Sequence, residues 1–135
     1  MNLARTLAAV CLLAGCVPAM QIGTPDPQRP FVGSWKGKGS QSDQKGEWSI
    51  TASISGGAVG AVVGTIAYPS LSCGGDLVLR RVTEDSIEVR ERITHGDCID
   101  GILTLGARPG GWLDYRWRTE DGSVTARGQL EPAGS

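Results

Sequence analysis

Aromatic residues are scarce in this chain, with one Phe, two Tyr and four Trp among 135 residues. A core with so few rings draws mainly on aliphatic side chains, and each Trp dominates its surroundings. Histidine occurs once, as His95, and no Cys-x-x-Cys pair is present. The common zinc ligand sets therefore cannot be assembled, and no metal or other cofactor is expected. An excess of charge of either sign is also missing. Thirteen basic residues face 14 acidic ones for a formal net charge of −1. That leaves no basic stripe for phosphates and argues against a nucleic-acid partner. No apolar run reaches the roughly twenty residues that a membrane-crossing helix needs. No window shows an apolar period of 3.6 residues behind a capping residue, so long helices are not expected. "GGAVGAVVG" lies in a strand-like run with no helix or lysine after it, which excludes a nucleotide-binding loop.

What the chain has in quantity is glycine, 20 residues of it, with small polar residues that separate short alternating runs. These runs fall at 33–40, 46–55, 58–68, 75–82, 86–94, 99–106, 111–119 and 123–131. Between them sit "SDQKG", "SGG", "PSLSCGG", "TED", "HGD", "ARPGG" and "EDG", the chemistry of hairpin turns. The pattern predicts an all-β domain: a single small antiparallel meander barrel, or a strongly curved sheet, of about eight strands. Alternation assigns the faces. Trp48, Ile50, Ala52 and Ile54 share one side of their run, as do Leu113, Tyr115 and Trp117, and Val124, Ala126, Gly128 and Leu130. Glycines 37, 39, 60, 64, 101 and 128 fall inside runs, where they let a small barrel kink and close. A barrel of this kind is expected to be filled, with little room for a large ligand.

One residue breaks the pattern. In "SIEVRERIT" the apolar side carries Ile87, Val89, Glu91 and Ile93, so Glu91 points inward. A buried carboxylate is costly unless paired or hydrogen-bonded. The expected partner is an inward arginine, such as Arg80 or Arg116, or backbone donors near a barrel end. The other reading makes Glu91 a ligand-facing or acid–base carboxylate at the barrel mouth.

The first residues belong to a different physical regime. "MNLARTLAAVCLLAGC" has one early positive charge and an apolar run of about ten residues, the size of a secretory signal. Its end, Leu13-Ala14-Gly15-Cys16, resembles the lipobox of bacterial lipoproteins. That resemblance implies a signal peptide over residues 1–15 and an acylated N-terminus at Cys16. It also implies attachment to the membrane through lipid, because two or three chains anchor where one holds only marginally. Residues 16–30 carry prolines at 18, 25, 27 and 30 and read as a semi-stiff tether, leaving residues 31–135 as the domain. Val17, rather than aspartate, follows the cysteine, which by the same resemblance favours the periplasmic face of the outer membrane in a Gram-negative cell.

Of the four cysteines, Cys11 leaves with the signal and Cys16 carries lipid, so Cys73 and Cys98 remain. In an oxidising compartment they pair. A loop of this size contributes roughly 3 kcal/mol in the chain-entropy picture. The competing roles are a nucleophilic Cys73, or a metal held by Cys73, Cys98 and His95, and both lack partners of suitable spacing.

"GTIAYPSLSCGGDLVL", "EVRERITHGDCIDGILTL", "WLDYRW" and "ARGQL" are together similar to a small extracytoplasmic β module. That module occurs in some actinobacterial serine/threonine kinases and in uncharacterised lipoproteins. The resemblance implies an exposed domain for sensing or binding a small molecule, glycan or protein, and it brings no known catalytic residues. The expected function is therefore a lipid-anchored envelope protein with a non-catalytic binding or sensing domain. The candidate rim is Ser70, Ser72, Glu91, His95 and Asp97, on two turns joined by the disulfide. Two alternatives stand beside it. One is a lysozyme-type inhibitor, by architecture alone and without the serine- and lysine-bearing loop of such inhibitors. The other is a small enzyme using Glu91 or His95.

Overall fold

The computed structural model describes residues 26–134. The expected signal peptide, Cys16 and most of the expected tether lie outside the described residues. Alternating runs become eight strands: β1 (Gly33–Gln41), β2 (Trp48–Ile54), β3 (Val62–Tyr68), β4 (Cys73–Val82), β5 (Ser86–His95), β6 (Gly101–Arg108), β7 (Trp112–Arg118) and β8 (Thr125–Pro132). Each pairs antiparallel with its neighbour in sequence, and β8 returns to pair with β1, so the meander closes into a barrel. Closure leaves no sheet edge to pair with another chain. The expected barrel is thus the observed one, and Cys73 and Cys98 form its disulfide.

The inward set follows the predicted alternation along β2, β7 and β8, where Trp48, Ile50, Ala52, Ile54, Leu113, Tyr115, Trp117, Ala126 and Leu130 are buried. In β3 a register shift between Val62 and Gly64 changes the phase, so Val63, Ile66 and Tyr68 all face the core. Gly60, expected inside a strand, instead lies in the β2–β3 connection, where its N–H donates to the Leu79 carbonyl. Arginines stay outside and pair there: Arg80 and Arg81 with Glu88, Arg90 with Glu120, Arg92 with Asp76, and Arg108 and Arg116 with Asp114.

The two ends of the barrel are built differently. Where β1 starts, a short 3-10 turn over Arg29–Phe31 buries Phe31 completely in the core. The Trp35 indole N–H donates to the Phe31 carbonyl at 2.9 Å, and the Gln28 amide clasps Gly57 through two hydrogen bonds. This end is closed. At the opposite end lie the β1–β2 loop, the Pro69–Leu71 turn, the β5–β6 link and the β7–β8 turn. There the disulfide ties the start of β4 to the β5–β6 link. Ser72, the one described non-glycine residue with positive φ, at 56°, ends the Pro69–Leu71 turn so that β4 can begin at Cys73.

Candidate functional site

The site is at the open end and starts from Glu91. The alternation Ile87, Val89, Glu91 drives its side chain into the lumen, where it is only 1% exposed. Its cross-strand partners are Leu77 on β4 and Gly101 on β6. Gly101 has no side chain, and the Trp117 indole occupies that place: a Cβ on Gly101 would lie 2.2 Å from Trp117 Nε1. Trp48 uses Gly39, its partner on β1, in the same way, since a Cβ there would fall 2.7 Å from the indole ring. Two missing side chains therefore let two indoles press against the barrel wall.

Neither expected arginine reaches Glu91. Arg80 and Arg116 are outside, bound to Glu88 and Asp114 at 3.7 Å and 2.8 Å. The partner is Tyr68, whose hydroxyl donates to Glu91 Oε2 at 2.5 Å. The two tyrosine hydroxyls are 2.7 Å apart. With the Tyr68 proton committed to the carboxylate, Tyr115 is the donor of that second bond, and the relay runs Tyr115 to Tyr68 to Glu91. The reason the arginines lose is simple desolvation: a long charged side chain on an outer face gains more from water and a surface acid than from crossing the wall. Trp48 stands at 90° to Tyr68 and 75° to Tyr115, so the three rings meet edge to face.

Burial sets the protonation. Loss of water pushes the Glu91 carboxyl from 4.5 up to about 7, and the negative field of Asp100 adds to this. The Tyr68 hydrogen bond and the nearby Trp117 indole oppose the rise without cancelling it. The Trp117 N–H therefore lies by the Glu91 carboxylate, although the contact falls short of full hydrogen-bond geometry. Both tyrosines are pushed well above their ordinary value, chiefly by burial, and stay protonated as donors. Near neutral pH Glu91 is thus poised between charged and neutral forms while its neighbours do not titrate.

Above this cluster is a cavity of about 420 Å³. Its floor and sides are Trp48, Tyr68, Glu91, Tyr115 and Trp117, and its rim includes Asp43, Leu71, Asp97 and Ile99. The barrel was expected to be filled throughout; it is filled toward its closed end, and the open end keeps this cavity. Trp48 and Trp117, 8% and 7% exposed, each bury an indole N–H with no acceptor among the described residues. An unsatisfied buried donor costs about 1–3 kcal/mol, so two in one cavity wall are unusual.

Of the candidate rim residues, Glu91 and Asp97 come together at this cavity, beside Cys98. Ser70 does not join them. It accepts from the Ser49 N–H at 2.9 Å and fixes the Pro69–Leu71 turn to β2. Ser72 closes that turn, and His95 lies exposed on the outer wall beside Gly74. Asp100 receives the Ile93 N–H at 2.8 Å and shapes the β5–β6 link. Among the described residues no group of three His, Cys, Asp or Glu is placed to hold a metal ion. The aromatic lining was half visible in sequence: alternation turned Trp48, Tyr115 and Trp117 inward but gave no height along the barrel. Tyr68 alternates with Ile66 downstream of the β3 register shift, so its inward phase was equally readable from the pair, while the shift itself put only Val63 out of phase. Comparison of the chain with protein-family models, with curated proteins and with solved structures returns no match.

Proposed function

We propose that this is a lipid-anchored envelope protein whose barrel is a non-catalytic, extracytoplasmic binding domain that takes a small molecule at its open end. The observation that carries this reading is the cavity of about 420 Å³ with two unsatisfied indole donors and a buried carboxylate in its wall. A small barrel either fills with side chains or holds one small ligand, and a pocket of this size suits the latter. The polarity of the chain supports the anchoring half. The chain enters the barrel at the closed end, through Arg29–Phe31, and the cavity opens at the other. A lipid on Cys16, ahead of this closed end in the chain, would leave the mouth pointing away from the membrane. Binding is favoured over catalysis because Glu91 faces two tyrosines held in their neutral form, whereas His95 is outside the barrel.

The test is native mass spectrometry on the full chain purified from its own envelope. The expected species begins at an acylated Cys16, contains one disulfide and retains a small-molecule mass. Ala126→Leu, which fills the cavity from β8, should release that mass. A non-acylated chain overturns the anchor. A chain that carries no adduct, and whose Trp48 and Trp117 resonances no small molecule perturbs, overturns the binding role.

A further inference from the structure

We infer that the occupant of the open end is a small organic cation that also carries an oxygen acceptor, of the amino-alcohol class. This rests on the binding reading above and goes further by naming the ligand chemistry. Apart from the two tyrosines, the ionisable side chains on the cavity wall are Asp43, Glu91 and Asp97, all acidic. No lysine or arginine lines it. The groups that face Glu91 from the surrounding strands are Tyr68 of β3, Tyr115 and Trp117 of β7, and Asp100 of the β5–β6 link, none of them basic. An anionic ligand would therefore enter a negative field with nothing to pair it.

A cation fits for two further reasons. Glu91 Oε2 accepts from Tyr68, while Oε1 accepts no hydrogen bond among the described residues, so one carboxylate oxygen is left for a ligand. The wall around it is aromatic, with Trp48 nearly perpendicular to both Tyr68 and Tyr115. Electron-rich ring faces beside a carboxylate attract ammonium groups, more so when desolvated. Acidic residues and rings alone would not specify the ligand. The Trp48 indole N–H, on a side chain more than nine-tenths buried and without an acceptor among the described residues, supplies the second requirement. It calls for an oxygen on the same molecule as the cation. A neutral occupant would satisfy the indole and leave the carboxylate; a bare ammonium would do the reverse.

The four tryptophans make this testable on the full chain by ¹H–¹⁵N NMR of the indoles. Trp48 and Trp117 report the cavity, and Trp35, bonded to the Phe31 carbonyl at the closed end, is the internal control. The probes are choline, ethanolamine, the neutral choline isostere 3,3-dimethylbutan-1-ol, and butyrate. At least one cation should shift Trp48 and Trp117 and leave Trp35 in place. For choline the isostere should bind at least about tenfold more weakly, a difference of about 1.4 kcal/mol. With Glu91 titrating at about 7, cation affinity should rise about tenfold from pH 6 to pH 8. Glu91→Gln should flatten that profile, and the isostere comparison needs no variant at all. If the isostere binds as well as choline, or butyrate binds and the cations do not, the cation is wrong and the binding site stands. If no probe moves either indole, the amino-alcohol cation is wrong, and the binding role is decided separately by the adduct measurement.

Discussion

Replacing Glu91 by glutamine should make the protein more stable at alkaline pH and change little at acid pH. The folded state holds the Glu91 proton up to about pH 7, whereas the unfolded chain releases it near 4.5. Between those values the folded state binds more protons, so the contribution of this group to stability falls as pH rises. It is complete below about pH 4.5 and lost above about pH 7, where the cost of an ionised carboxylate in the lumen is fully present. The interval corresponds to about 3 kcal/mol, taking 1.36 kcal/mol for each pH unit. Glutamine never ionises and keeps a carbonyl oxygen to accept from Tyr68. Urea is the right denaturant, since guanidinium is itself a cation that would compete for the proposed site. Unfolding midpoints of wild type and Glu91→Gln, with the disulfide intact, are compared at pH 5, 6, 7 and 8. The stability difference should shift in favour of the variant by about 2.5 kcal/mol across this range. Other titrating groups cancel in that difference. A pH-independent loss of stability in the variant would mean that Glu91 is held as an ion by a partner other than Tyr68, and the site as described would be wrong.

Three more perturbations probe the same architecture. Tyr68→Phe removes a hydrogen bond that holds the Glu91 titration down, so the midpoint, followed by ¹³C NMR of the carboxyl, should move above that of the wild type; a fall would contradict the relay. It should also cost about 1–3 kcal/mol, as the Tyr115 hydroxyl loses its acceptor. Gly101→Ala places a methyl 2.2 Å from Trp117 Nε1, and about 1–3 kcal/mol of destabilisation with a displaced Trp117 resonance is expected. An unmoved resonance would show that the indole does not rest on Gly101. Replacing Cys73 and Cys98 together by alanine opens a 25-residue loop and should cost about 3 kcal/mol in urea unfolding, with reductant then having no further effect.

Much of the fold was legible because an antiparallel meander needs only local information. Alternation fixes which side chains enter the lumen, and the turns between strands carry their own glycine and aspartate chemistry. Departures occur where backbone geometry overrides composition. Ala58–Gly60 look strand-like, yet the hydrogen bond from Gly60 N–H to the Leu79 carbonyl turns them into a connection, and β3 starts only at Val62. Cys73 sits in a stretch rich in turn residues, yet the Pro69–Leu71 turn and left-handed Ser72 complete the reversal and the cysteine becomes the first residue of β4. The inward Glu91 was equally legible. Its partner was not, because Tyr68 is 23 residues away and on a strand that is not its neighbour in the sheet. Alternation states in or out. Which residues meet across a lumen depends on height, which the shifts at Val62/Gly64, Gly74/Gly75 and Leu79/Arg81 reset strand by strand.

The same distinction explains why one end of this barrel is solid and the other hollow. An eight-stranded lumen is only about wide enough for its own side chains. At the closed end Phe31 and Trp35 join Ile54, Val63 and Leu113 in one buried core. At the open end Gly39 and Gly101 remove two inward side chains, and an indole lies over each. Rings placed on the wall in this way do not cross the lumen, so space remains between them, and the disulfide holds the loops that frame it. An apolar plug would have filled that space at lower free energy than a half-ionised carboxylate and two unpaired N–H groups. The open end therefore gives up stability that an apolar plug would supply, and this cost is what the proposed ligand would offset.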